Sequence, residues 1–171
     1  MKHLLGRTSR AQHWLAAVLS IWLIATSPWI SMRRVVPQSP TFWDYAHIGL
    51  GIALAAIAMM YFVSTMIDGG WRRHFPWLVG NLSEFNSDLR GIARLKIPSA
   101  GGAGLFSLLQ GLLILFLLAA AATGTGWLVA DGSRAALAWR EWHAVAANVF
   151  AWLLVAHVVA SALHVLDFLR D

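Results

Sequence analysis

Four runs of mostly apolar residues, at 11–30, 45–67, 104–130 and 139–166, limit what this chain can fold into more than any other feature. A helix needs about 20 such residues to cross the hydrocarbon core of a bilayer, and each run supplies them. The 171 residues are 58% hydrophobic and only 12% charged, too apolar for a soluble domain of this length. They leave no room for a separate globular domain. The expectation is one all-α membrane domain over 1–171, a bundle of four transmembrane helices. Pro28, Pro37 and Pro40 cannot continue a helix and turn the chain back after the first run. The N-terminal run is too long for a signal peptide and has no small-x-small cleavage site, so it reads as the first helix. In the longer second loop, Leu82, Phe85, Leu89, Ile92 and Leu95 recur at three- and four-residue intervals with Arg90 and Arg94 opposite. That pattern predicts an amphipathic surface helix over about 82–95 lying on the membrane.

The formal charge of +5 sits in the loops beside these runs, where it reads as a topology signal and not as a nucleic-acid surface. Lys2, Arg7, Arg10, Arg72, Arg73, Arg90, Arg94, Lys96 and Arg170 fall on one side, against Arg33, Arg34, Arg134 and Arg140 on the other. The imbalance places both termini in the cytoplasm. Trp29, Trp43, Trp71, Trp127 and Trp142 lie near the predicted helix ends, as interfacial belts require. There is no Cys, which excludes thiolate metal sites, iron–sulfur clusters, disulfides and covalent haem attachment through Cys-x-x-Cys-His.

Histidine is the remaining ligand type, and ionisable residues within a membrane are functional candidates by default. His13 opens the first run, His47 opens the second, and His143 and His157 both lie in the fourth. His157 follows His143 by fourteen residues, about 21 Å along a helix and close to four whole turns, so the two share one face at two depths. The alternation of the spans then puts His47 level with His143 on the outer side and His13 level with His157 near the cytoplasm. Bis-histidine haem ligation needs two imidazoles from facing helices, and the pairs His47/His143 and His13/His157 meet that need at two levels. Zinc would want three or four ligands at one level. Gly49, Gly51, Gly124 and Gly126 lie near the outer pair and suit either a porphyrin or ordinary helix packing. His3 and His74, outside the spans among basic residues, are expected to be solvated. His164, seven residues after His157, is a candidate for a haem propionate contact, a quinone pocket, or replacement of His157 as ligand.

Taken in order, Gln12-His13-Trp14, His47, Thr123-Gly124, Trp142-His143 and His157 resemble the bacterial cytochrome b561 family. That family includes the cytochrome b subunits of nickel-iron hydrogenases and respiratory formate dehydrogenases. Asp88-Leu89-Arg90 and Gln110-Gly111 also look like the subunits that serve large dehydrogenases, although the outer loops here are shorter. The resemblance covers the whole chain. It implies a multi-pass protein of the bacterial inner membrane holding two haem b, with His47 and His143 on the outer iron and His13 and His157 on the cytoplasmic one. It further implies electron transfer between a periplasmic dehydrogenase or cytochrome c partner and the quinone pool, with quinone as substrate. A stand-alone, superoxide oxidase-like oxidoreductase is the alternative, with Arg33, Arg34, Arg134 and Arg140 drawing an anion to the outer haem. A non-redox membrane protein would use the same histidines only to bond between helices and would carry no chromophore.

Overall fold

The computed structural model describes the backbone of residues 2–67, 69–80, 82–94 and 104–168, and the side chains among these except at 2–9 and 163–168. Every regular element among them is helical: α1 (Lys2–Thr26), α2 (Phe42–Ile67), α3 (Trp71–His74), α4 (Ser83–Ile92), α5 (Leu105–Val129) and α6 (Ala136–Phe168). Single 3-10 turns follow α1 at Ser27–Trp29 and α3 at Pro76–Val79. Among the described residues, Phe42–Ile67, Leu105–Val129 and Ala136–Ala162 are long and apolar enough to cross a membrane. Their outward positions carry large apolar side chains such as Ile67, Trp152 and Val129, whereas Ala58, Ala120 and Ala146 are buried. The buried positions mix small residues with large ones such as Leu54, Leu113, Ile114 and Phe150, while the many bulky apolar side chains on the outside are what a helix shows to lipid tails.

The chain forms two compact units, Met1–Ser64 with Phe116–Val149 and Thr65–Leu115 with Phe150–Asp171. In the first, α1 stops before Pro28, whose ring and missing N–H end the helix. The Thr26 and Ser27 hydroxyls take up carbonyls of the last turn, donating to Trp22 O and Ile24 O at 2.8 Å each. The start of α2 is a capping box built from Thr41 and Asp44. Thr41 N donates to Asp44 Oδ2 at 2.9 Å, and Asp44 N donates back to Thr41 Oγ1 at 3.3 Å. Asp44 is fully buried and also receives the backbone N–H and hydroxyl of Ser31, at 2.8 and 2.6 Å.

The α1–α2 and α5–α6 loops interlock. Val36 N donates to Asp131 Oδ1 at 3.0 Å, Gly132 N to Arg34 O at 3.3 Å, and Trp127 Nε1 to Arg33 O at 2.9 Å. Gly132 makes the turn with a φ of 75°, a left-handed conformation that favours glycine. Beneath lies a small core of Met32, Trp127 and Ala136 with Ile48, Leu128 and Trp139 against it. Trp127 is therefore a buried residue tying two loops together and not a member of an interfacial belt; Trp29 and Trp142 are exposed as a belt requires.

In the second unit, α4 ends at Ile92, short of the expected 82–95, and Leu95 lies outside the described residues. Leu89 and Ile92 are exposed, while Asp88 accepts a hydrogen bond from Leu105 N at 2.8 Å, placing a negative charge on the N-terminus of α5. His74 is not solvated as expected. Its backbone carbonyl packs on Gly111 of α5, where a β-carbon would collide with it, and its ring is half-buried. Burial lowers the pKa of His74 from the ordinary 6.5, a bond to the Ser107 backbone opposes this, and Arg73 adds to the lowering.

Candidate functional site

His47 lies in the second turn of α2, one turn beyond the Asp44 clamp, and His143 lies two turns into α6. Their rings meet in a T-shaped edge contact with centroids 6.1 Å apart and planes at 90°. Both are half-buried. His143 Nδ1 lies 2.8 Å from Ala120 O of α5. With a carbonyl as partner that nitrogen carries the proton and donates, which leaves the Nε2 lone pair available. The ring also rests against Gly124, one turn along α5, where a β-carbon would stand 3.1 Å from Nδ1 and 3.2 Å from Cε1. His47 Nδ1 is buried and has no hydrogen-bond partner among the described residues.

Two imidazoles this close, one with a buried Nδ1 that has no partner among the described residues, fit a haem iron that would be held by His47 and His143. Among the described residues no group of three or more His, Cys, Asp or Glu is placed to hold a metal by protein ligands alone. A porphyrin iron needs two.

The other sequence-predicted residues are placed as follows. His13, on α1 in the first unit, is exposed and makes an edge contact with Trp14 at 6.2 Å. His157, on α6 in the second unit, is half-buried. His164 falls within α6, but its side chain lies outside the described residues. Of the four glycines, Gly124 makes room for His143 and Gly126 for Trp139, while a β-carbon at Gly49 or Gly51 would meet nothing within 4 Å. Arg33, Arg34, Arg134 and Arg140 are all exposed, and no carboxylate pairs with them among the described residues. Arg34 and Arg140 instead donate to loop carbonyls, including Ser133 O at 3.3 Å and Met32 O at 3.4 Å. Sequence reasoning missed Asp44, although Thr41-x-x-Asp44 ahead of an apolar run is a capping-box signal. It also missed Ala120, whose contribution is a backbone oxygen.

A family profile described as prokaryotic cytochrome b561 matches residues 5–167. The chain belongs to that family. It is accordingly a membrane protein of b-type cytochrome character, binding b-type haem and serving electron transfer. No curated protein and no solved structure matches it.

Proposed function

We propose that this cytochrome is a four-helix, di-haem electron carrier of the bacterial inner membrane with both termini in the cytoplasm. His47 and His143 hold the outer haem, and His13 and His157 the inner one. Electrons pass between a periplasmic dehydrogenase or c-type cytochrome and the quinone pool. The observation that carries the reading is the 6.1 Å approach of His47 and His143. The inner pair rests on sequence register, and the orientation on the distribution of Lys and Arg.

A bound haem supplies one-electron oxidation and reduction; the chain supplies ligation and surroundings. The bond from His143 Nδ1 to Ala120 fixes the tautomer and the ring orientation, as outer-shell partners of metal-bound histidines do. The Asp44 clamp fixes the start of α2 and hence the height at which His47 is presented. Apolar spans keep water and competing ligands away. The test is a potentiometric titration of His47→Ala and His157→Ala beside the wild type. Each variant is expected to lose a different haem; loss of neither haem in His47→Ala contradicts the outer assignment.

The four exposed arginines favour a second reading, a stand-alone oxidoreductase that takes electrons from a small anion such as superoxide at the outer haem. Superoxide consumption coupled to quinone reduction by the purified protein alone distinguishes it.

A further inference from the structure

The carbonyl that holds His143 has a second side-chain donor. Thr123 Oγ1 donates to Ala119 O at 2.7 Å and, through a longer arm, to Ala120 O at 3.1 Å. His143 Nδ1 reaches the same Ala120 oxygen at 2.8 Å. Ala120 also stands in helical register to accept the N–H of Gly124 within α5. A carbonyl oxygen has two lone pairs, so three donors share them, and each one draws density that the others would use.

We propose that Thr123 is a positioning residue for the outer haem. Through the Ala120 oxygen it sets how strongly the His143 N–H is bonded, and so the reduction potential of the iron that His143 binds. The inference rests on the reading of His47 and His143 as ligands. An imidazole that gives more of its far proton to an acceptor is more basic at its metal-binding nitrogen, and a more basic ligand favours the oxidised iron. The longer arm of Thr123 weakens that pull and raises the potential. The shorter arm to Ala119 is the usual back-bond of a threonine in a membrane helix; only the longer one reaches the acceptor of the histidine. Gly124, beside Thr123, lets the ring come close enough to α5 for the three groups to share one oxygen.

The test uses the haem-loaded protein and three variants. Thr123→Val and Thr123→Ala remove the hydroxyl, and Thr123→Ser keeps it. The readouts are potentiometric titration of each haem and the low-spin EPR signal of the outer one. In both hydroxyl-free variants the reduced-to-oxidised ratio of the outer haem at fixed ambient potential is expected to fall roughly threefold to tenfold, tenfold being about 59 mV for one electron. Thr123→Ser should stay within about twofold of wild type, and the inner haem should not move. An outer haem unmoved in Thr123→Val and Thr123→Ala, or moved equally in Thr123→Ser, overturns the proposal. A wild type without haem overturns the ligand reading itself, so the two failures are distinguishable.

Discussion

His143 is held against α5 at two points one turn apart, by the bond from Nδ1 to Ala120 O and by contact with the bare backbone of Gly124. Gly124→Ala therefore pushes the ring away from its acceptor by a few tenths of an ångström, and the outer haem should be lost or loosely held while the inner one remains. Haem per chain should drop from two toward one; full retention with an unchanged spectrum would contradict the close contact. Asp44 makes a stability prediction at the same scale. Hydrogen bonds to a charged acceptor are worth roughly 1.5–3 kcal/mol each, and removing this one strands the donors of Ser31 and Thr41. Asp44→Ala should destabilise the detergent-solubilised protein by about 3 kcal/mol, read as a lowered thermal midpoint. The histidines were legible in the sequence because an ionisable residue in an apolar run stands out. Ala120 was not, because a backbone oxygen has no side-chain signature, and the burial of His74 depends on Gly111, distant in sequence.

Among the elements, apolar runs located α2, α5 and α6 to within about three residues. α1 begins earlier than its run, at Lys2, because polar residues ahead of an apolar stretch carry no hydrophobic pattern and still form helix. α4 is shorter than expected, and its Asp88 is turned to the N-terminus of α5, a use of a carboxylate that periodicity does not report. Asp88→Asn weakens the interaction with the helix dipole by about 1 kcal/mol and should raise hydrogen exchange in α4 while leaving α2 and α6 unchanged. His74 gives a pH dependence. Its lowered pKa means the folded chain favours the neutral ring while the unfolded chain protonates near 6.5. This contribution to stability is present above 6.5 and is lost as pH falls through the lower folded value. His74→Phe should flatten the stability profile on the acid side of 6.5, measured by thermal unfolding across pH.

For the whole molecule, composition dictated a membrane protein and the family match bears this out. The sequence showed where three of the apolar spans lie, but not that the segments at the His47/His143 end interlock through Trp127, Asp131 and Gly132, since those bonds join residues nearly a hundred positions apart. Depths read from the sequence put His47 and His143 at one level, and their rings lie 6.1 Å apart. The most direct test of the account is a reduced-minus-oxidised visible spectrum of the purified protein, with haem quantified per chain. The account predicts b-type bands and two haems per chain; a colourless wild-type protein would contradict it.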